Sequence, residues 1–331
     1  MKDPILELNN VHVEYELDEG IVYAVRGASY KVFENETLAI VGESGCGKSQ
    51  SSYATIGLIQ PPGQVTKGDI WFRETDESPP TNLLQYHRNS KEMRRIRGGR
   101  LAMIFQEPMT ALSPVHRVGK HLDEVLKLHT DLGKAERIEK ACQLLTAVGI
   151  PDAEKRYYQY SFEFSGGMRQ RIMIAVALAC DPRLLIADEP TTGLDVTIQA
   201  QILDLIKSLQ KKSRMGVILI THDLAVVAET ADRVAVMYLG EIVEEADVGT
   251  LFATPKHPYT IALMKSVVGS VLAADGRLQV IRGSVPGPLE TVSGCPFHPR
   301  CDSFIPGKCD RERPEFKLVG DNAWVSCHLY T

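Results

Sequence analysis

Short apolar segments recur along the chain, and most of them are apolar at nearly every position. They are TLAIV (37–41), LAMIF (101–105), RLLIAD (183–188) and GVILIT (216–221). A half-exposed strand alternates apolar and polar residues, whereas a strand buried on both faces of a parallel sheet is apolar throughout. The pattern therefore predicts buried strands of a parallel sheet.

Helical periodicity lies between these segments. In KAERIEKACQLLTAVGI (134–150) apolar residues recur at spacings of three and four, which predicts one buried stripe. The residues of that stripe are Ile138, Cys142, Leu145 and Val148. Gly149 and Pro151 are expected to end the helix. Strands that alternate with helices indicate an α/β fold.

Composition adds two expectations. The 331 residues are 44% hydrophobic and 24% charged with a net charge of −5, which is typical of a globular protein and gives no basic surface for nucleic acid. The longest apolar run, IMIAVALAC (172–180), is too short for a membrane span, which needs about 20 residues. No signal peptide is expected at the start MKDPILEL, so we expect a soluble chain.

A glycine-rich loop follows the first buried segment. GESGCGKS (42–49) fits G-x-x-x-x-G-K-[ST], a loop whose backbone N–H groups surround phosphate oxygens. Lys48 would contact the β- and γ-phosphates, and the Ser49 hydroxyl would bind Mg²⁺. The residues expected to contact ATP here are Gly42, Ser44, Gly45, Cys46, Gly47, Lys48, Ser49 and Gln50.

Two adjacent carboxylates end the segment LLIADEP. Asp188 is a candidate Mg²⁺ ligand, and Glu189 a candidate general base for the attacking water. The alternative is that both acids cap the turn at Pro190 and Thr191, which explains one acid but not two after an apolar strand.

A second anion site is predicted in FSGGMRQR (164–171), where Ser-Gly-Gly precedes a helix. Two phosphate-binding surfaces far apart in one chain suggest that two copies pair and complete each other's nucleotide sites.

With these motifs in order, the chain resembles the ATP-binding subunits of ABC transporters. The resemblance assigns 42–49 to the Walker A loop, Asp188 to Walker B and Glu189 to the catalytic glutamate. It implies that Tyr15 (or Tyr23) stacks on adenine, that Gln106 of the Q-loop senses Mg²⁺, and that His222 reaches the γ-phosphate. It also assigns Asp195 to the D-loop. The signature motif would consist of Ser165, Gly166 and Gly167.

The same resemblance implies an α/β fold with a P-loop ABC-type ATPase core, an antiparallel β subdomain and a helical subdomain at about 107–180. Residues 1–250 would form the ATPase domain, and 251–331 a small cysteine-rich C-terminal extension.

Four stretches resemble the ATPases of dipeptide and oligopeptide importers: EPMTALSP (107–114), GGMRQR (166–171), HPYT (257–260) and RGSVPGPLE (282–290). The function implied is ATP-driven closure of paired ATPase subunits, coupled to import. Implied partners are two permease subunits, a second ATPase subunit (a paralogue or a copy of this chain) and an extracytoplasmic solute-binding protein. The implied location is the cytoplasmic face of the cell membrane, as a peripheral subunit.

Other functions remain open. The same motor serves importers of nickel and of some sugars. ABC ATPases that act on DNA differ by a long coiled coil between the Walker A loop and the signature, whereas here about 115 residues without sustained heptads separate them. A redox-regulated switch is a third possibility, and it is compatible with transport.

The last 37 residues hold four of the seven cysteines: Cys295, Cys301, Cys309 and Cys327. Disulfides are not expected in a reducing cytosol, and the surrounding Pro, Gly and charged residues do not suit four buried apolar thiols. The spacing lacks the tight pair of structural zinc sites, and a [4Fe–4S] cluster tolerates looser spacing. We expect a cluster here, with zinc or no metal as alternatives.

Overall fold

The computed structural model describes residues 3–106, 112–266, 281–320 and 323–330. Residues 107–111, which include the start of EPMTALSP and of the predicted helical subdomain, lie outside the described part. The chain divides into two compact units. Unit 1 comprises Met1–Leu6, Val32–Glu36 and Phe72–Ile220, and unit 2 comprises Glu7–Lys31, Thr37–Trp71 and Thr221–Thr331.

The following strands and helices belong to the described part of the chain. The strands are β1 (Leu6–Leu17), β2 (Gly20–Val32), β3 (Thr37–Val41), β4 (Gly63–Phe72), β5 (Thr81–Asn82), β6 (Leu101–Ile104), β7 (Leu184–Asp188), β8 (Gly216–Ile220), β9 (Arg233–Tyr238), β10 (Glu241–Asp247), β11 (Phe316–Val319) and β12 (Ala323–Ser326). The helices are α1 (Lys48–Thr55), α2 (Lys91–Ile96), α3 (Val118–His129), α4 (Lys134–Ala147), α5 (Ala153–Arg156), α6 (Gly166–Ala177), α7 (Val196–Ser213), α8 (Leu224–Thr230), α9 (Val248–Ala253) and α10 (Pro258–Lys265), with 3₁₀ turns at Leu83–Gln85, Ser161–Glu163 and His298–Arg300.

Unit 1 contains a parallel sheet built from three of the predicted strands. β6 pairs with β7 in parallel, with Leu101 opposite Leu184, and β7 pairs with β8 in parallel, with Leu184 opposite Gly216. All residues of β7 and β8 are buried, as a sheet covered on both faces requires. The prediction of buried parallel strands is confirmed for these segments.

The helices α3, α4 and α6 of unit 1 pack against one another. The predicted helix at 134–150 is observed as α4, and Gly149 ends it with a φ of 79°. Its buried residues are Ala141 and Leu145, followed by Val148 just beyond the helix. Ile138 and Cys142 are only partly buried and line an open groove of α4 and α5, so the stripe is turned slightly from the predicted one.

Unit 2 contains two sheets. In one, β2, β1 and β4 are neighbours in that order, and the short link between β1 and β2 is of the kind that joins antiparallel strands. In the other, β11, β12, β10 and β9 form antiparallel pairs, and β9 pairs with β3 in parallel. The predicted strand TLAIV is β3, and all its residues are buried.

The C-terminal residues of unit 2 share a hydrophobic core with β9 and β10. Phe297 is 2% exposed, and its ring centroid lies 5.3 Å from that of Tyr238 and 5.4 Å from that of Tyr259. Cys295 and Cys309 belong to the same core, so the expectation that this segment does not bury its thiols among apolar residues is wrong for these two. Burial of the Phe297 ring against these two tyrosines therefore helps to hold the loop-rich segment in place.

Among the described residues, the structure has no helix that is both long and apolar enough to span a bilayer.

We expect Phe297→Ala to lower the free energy of unfolding by roughly 3–5 kcal/mol, because it leaves a cavity among buried rings. The control is Phe304→Ala in the same segment, where the ring is 38% exposed, and its cost should be about 1 kcal/mol or less. Urea unfolding of the two full-length variants measures the difference. Equal losses of unfolding free energy in the two variants would contradict the packing described for the C-terminal segment.

Candidate nucleotide-binding site

The predicted phosphate loop directly follows β3 in unit 2 and has the shape that its glycines allow. Gly42 has a φ of 153°, and a Cβ there would lie 2.2 Å from the carbonyl oxygen of Met237. Gly47 has a φ of 101°, and a Cβ would lie 2.2 Å from the carbonyl oxygen of Ala24. Any other residue would displace the backbone at both positions, so the loop geometry depends on these two glycines.

Lys48 is the first residue of α1, and its side chain turns back over the loop. Its ammonium group donates to the carbonyl oxygens of Gly42 (2.8 Å) and Glu43 (3.1 Å). The residue is only 6% exposed. The cation therefore lies inside the ring of backbone formed by the loop, where it is available to an anion that binds there.

The remaining loop residues differ in exposure. Ser44 and Gly45 are exposed, Ser49 and Gln50 are partly buried, and Cys46 is buried. Burial raises the pKa of the Cys46 thiol, which favours its neutral form. Cys46 therefore fills space under the loop, while its carbonyl oxygen accepts a 2.8 Å hydrogen bond from the amide of Gly240.

Tyr15 lies beside the loop, in β1. Its hydroxyl donates to Oε1 of Gln50 (2.6 Å), and its ring packs against the Cα of Gly63. Burial raises the pKa of Tyr15. Tyr23, the second candidate for adenine stacking, has the guanidinium of Arg26 5.1 Å from its ring centroid. The hydrogen bond to Gln50 attaches Tyr15 directly to α1.

His222 follows β8 and is also in unit 2. The amide of the preceding Thr221 donates to the carbonyl oxygen of Ile40 in β3 (3.4 Å), and Asp223 caps α8 through Ala225 (2.9 Å). The His222 side chain is exposed. It therefore stands in a short turn that is hydrogen-bonded on both sides and adjoins the strand leading into the phosphate loop.

In unit 1 the structure brings Gln106 and Glu189 together. The amide nitrogen of Gln106 donates to Oε2 of Glu189 (2.9 Å), and the hydroxyl of Thr192 donates to the same oxygen (2.9 Å). Glu189 has a φ of 45°, and its amide donates to the carbonyl oxygen of Ile220 (2.8 Å). The carboxylate is thus oriented from both backbone and side chain, and Thr192 is a contributor that the sequence motifs did not indicate.

Asp188 ends β7 and is 1% exposed. Such deep burial is unusual for a carboxylate unless a cation or hydrogen-bond donors compensate for it. The alternative of a simple turn cap explains the position of Glu189 less well, since Glu189 contacts Gln106 from a different loop.

The signature and the D-loop lie side by side in unit 1. Ser165 caps α6 by accepting from the amide of Met168 (3.4 Å), and Asp195 caps α7 by accepting from the amide of Ile198 (3.0 Å). A Cβ on Gly167 would lie 2.8 Å from Cγ2 of Ile198, so a glycine is needed where the two helix starts meet. Ser165, Gly166 and Asp195 are exposed.

A hydrogen bond joins the signature helix to the loop after Glu189. The side-chain amide of Gln170, in α6, donates to the carbonyl oxygen of Pro190 (2.5 Å), and Gln170 is 2% exposed. Unit 1 therefore brings Gln106, Glu189, the signature and the D-loop into one connected region. Unit 2 brings together the phosphate loop, Tyr15 and the turn of His222.

The four C-terminal cysteines lie in unit 2 and form no disulfide. Burial raises the pKa of the Cys295 thiol, and Cys327, Cys309 and Cys301 raise it further. Three are buried, Cys301 is partly buried, and the amide of Cys295 donates to the carbonyl oxygen of Cys309 (2.8 Å). Within the described ranges, no three His, Cys, Asp or Glu side chains are arranged to hold a metal ion. The described thiols therefore do not form a metal-coordination shell.

Comparison with known proteins identifies the class. The family described as "ABC transporter" matches residues 25–192, and the family described as "Oligopeptide/dipeptide transporter, C-terminal region" matches residues 243–309. The chain belongs to the ABC transporter family and has the mixed α/β fold of its ATPase cassettes. Its C-terminal part belongs to the oligopeptide/dipeptide type.

Two relatives are similar over nearly the whole chain. The dipeptide transport ATP-binding protein DppD of Bacillus subtilis is 47% identical over 331 residues, covering 99% of this chain and 95% of the relative. The oligopeptide transport ATP-binding protein OppD of the same organism is 46% identical, covering 98% and 88%. A dimeric structure of MJ0796, a bacterial ABC transporter cassette, is similar with a TM-score of 0.63 and 26% identity, covering 73% of this chain and 98% of that one.

We expect Gly42→Ala to weaken MgATP binding by a factor of roughly 10 to 100, because strain at a positive φ costs about 1–3 kcal/mol. The control is Gly249→Ala in α9, where a Cβ meets no atom within 4 Å. Titration of each full-length protein with MgATP, alongside circular dichroism to check folding, measures the effect. Unchanged affinity in a folded Gly42→Ala protein would contradict the loop geometry.

Proposed function

We propose that this chain is the ATP-hydrolysing subunit of an importer that carries dipeptides or oligopeptides across the cytoplasmic membrane. The observation that carries the proposal is the similarity to peptide transport ATP-binding proteins over at least 98% of the chain, including the C-terminal region typed as oligopeptide/dipeptide transporter. The names of these relatives favour peptides over nickel or sugars as the transported solute.

The residues of unit 2 would bind ATP. Lys48 and the amides of the loop at 42–49 are suited to the β- and γ-phosphates, and α1 presents its N-terminus to the same place. Tyr15, which is hydrogen-bonded to Gln50 beside the loop, is proposed to stack on adenine, with Tyr23 as the second candidate. His222 is proposed to contact the γ-phosphate, and its exposed turn beside β3 supports that role.

The residues of unit 1 would carry the hydrolysis. Glu189 is proposed as the general base that accepts a proton from the attacking water, and Gln106 and Thr192 hold its carboxylate in place. The hydroxyl of Ser49, the amide oxygen of Gln106 and the carboxylate of Asp188 are oxygen donors of the kind that Mg²⁺ takes. Mg²⁺ would supply positive charge to the phosphates during transfer.

A second ATPase subunit, either a paralogue or a copy of this chain, would complete the site. Ser165, Gly166, Gly167 and Asp195 are proposed to contact the nucleotide of that partner. Exposure of this region supports the proposal, since Val196, next to Asp195, is 84% exposed. The similar MJ0796 cassette is described as a dimer.

The other proposed partners are two permease subunits and an extracytoplasmic solute-binding protein, with the chain on the cytoplasmic face of the membrane as a peripheral subunit. Residues 1–250 are proposed as the ATPase domain, with a helical subdomain at about 107–180, and 251–331 as its C-terminal extension. The region near Gln106 is proposed to pass closure of the ATPase pair to the permeases.

The extension is proposed to bind a [4Fe–4S] cluster through Cys295, Cys301, Cys309 and Cys327, with zinc as the alternative. Thiolates are ligands of both groups, and the four cysteines all belong to the C-terminal part of unit 2. Because the described thiols do not form a coordination shell, binding requires that they turn toward a common point.

In cells that lack the native chain, the wild-type chain should restore uptake of a labelled dipeptide, whereas Glu189→Gln should not. The amide cannot accept a proton from water, so we expect ATP turnover to fall by a factor of about 10² or more while MgATP binding persists. Uptake, ATPase activity and nucleotide affinity are the three measurements.

The matched control is Glu139→Gln, since Glu139 is an exposed carboxylate on α4 outside the proposed site. It should leave all three measurements unchanged. Full turnover by Glu189→Gln would remove Glu189 as the base. Restored uptake of nickel but not of peptide would overturn the proposed substrate class.

Protein purified without oxygen should contain about four iron and four acid-labile sulfide per chain, with broad visible absorption. The double variant Cys295→Ser/Cys301→Ser should contain neither iron nor sulfide. Cys142→Ser, which replaces a partly buried cysteine of α4, should contain both in the wild-type amounts. About one zinc per chain would support the alternative, and no metal would overturn the site.

A further inference from the structure

Glu43, the second residue of the phosphate loop, is held through each of its polar groups. Its amide donates to the hydroxyl oxygen of Tyr259 (2.9 Å). Its carboxylate accepts from both terminal nitrogens of Arg300, at 2.7 and 3.0 Å. Its carbonyl oxygen accepts from Lys48 and from the amide of Cys46 (3.2 Å). Two of these partners, Tyr259 and Arg300, belong to the C-terminal region.

Arg300 is built into the interior and cannot easily move away. Its side chain is 4% exposed, and its Nε donates to the carbonyl oxygen of Arg282 (2.9 Å). The guanidinium also lies 5.8 Å from the ring centroid of Tyr238 and 5.9 Å from that of Phe297. A bidentate pair between Arg and carboxylate in such surroundings fixes both position and direction.

Tyr259 is fixed equally well by its own segment. It is fully buried in the first turn of α10, and its amide donates to Nδ1 of His257 (3.0 Å). The amides of Lys256 and His257 in turn donate to the buried carboxylate of Glu244 in β10, at 2.7 and 2.8 Å. The stretch HPYT thus places one phenolic oxygen at the amide of Glu43.

We propose that Tyr259 and Arg300 are positioning residues for the phosphate loop, so that the C-terminal region forms part of the structure that binds ATP. Lys48 donates to the carbonyl oxygens of Gly42 and Glu43. Phosphate oxygens would compete for the same ammonium group, so ATP binding would weaken two bonds within the loop. Tyr259 and Arg300 hold Glu43 independently of Lys48, so the loop keeps its shape and less ordering accompanies binding.

This inference rests on the proposed ATP binding, and it predicts the effect of removing each contact. Tyr259→Phe and Arg300→Met should each raise the Kd for MgATP about tenfold, which corresponds to about 1.4 kcal/mol. Arg300→Lys keeps the charge but loses the bidentate geometry, so its Kd for MgATP should lie between those of the wild type and of Arg300→Met. The full-length proteins are titrated with MgATP well below their unfolding temperatures, which are measured separately.

Two further variants separate positioning from general stability. Arg300→Met combined with Glu43→Gln should bind MgATP no more weakly than the weaker of the single variants, because both substitutions remove the same interaction. Arg311→Met serves as the control, since Arg311 is an exposed arginine of the same C-terminal region and has no role in the proposed contacts. It should leave the Kd unchanged.

Variants that unfold at lower temperature but bind MgATP with the wild-type Kd would overturn the inference. If Arg300→Met fails to fold, Tyr259→Phe decides the matter, since it removes one oxygen and keeps the buried ring. If the wild-type chain bound no MgATP, the proposed function would be overturned as well. If the wild-type chain bound MgATP and the variants bound it with the same Kd, only this inference would be overturned.

Discussion

A loop that directs several backbone N–H groups at one anion must adopt backbone conformations that most residues avoid. The rest of unit 2 depends on that constraint. At Gly42 and Gly47 the phosphate loop runs against the carbonyl oxygens of Met237 and Ala24, closer than any Cβ allows. A loop of this kind has few apolar atoms of its own to stabilise it. Its shape therefore depends on neighbours: the strand before it, the helix after it, and hydrogen bonds from distant parts of the chain.

Unit 1 meets a comparable demand by a different route. There the polar residues stand at the starts of α6 and α7, where N–H groups are unpaired by the helix itself. Ser165 and Asp195 cap these helices, and Gly167 lets the two helix starts approach each other. Gln170 then connects the signature helix to the loop that carries Glu189. Helix capping and one close contact thus position residues that are distant in sequence.

Much of this arrangement could be predicted from the sequence, because its signals are local. Buried strands showed as unbroken apolar segments, and the phosphate loop as a fixed spacing of glycines, Lys48 and Ser49. The exact buried stripe of α4 could not be predicted, because Ala141 is buried in place of Cys142. The partners of Glu43 could not be predicted either. Arg300 lies 257 residues away, and neither Arg300 nor Tyr259 belongs to a phosphate motif.

The ion pair of Glu43 and Arg300 also bears on how the C-terminal segment stays in place. Breaking it would leave a guanidinium buried without its carboxylate, at a cost that usually exceeds what the intact pair contributes. Phe297, three residues earlier, packs among Tyr238 and Tyr259, and Cys301 directly follows Arg300. The aromatic core, the ion pair and the cysteines therefore occupy one short segment. Detaching that segment would require losing all of them together, so the phosphate loop and the cysteine-rich region are expected to fold and unfold as one unit.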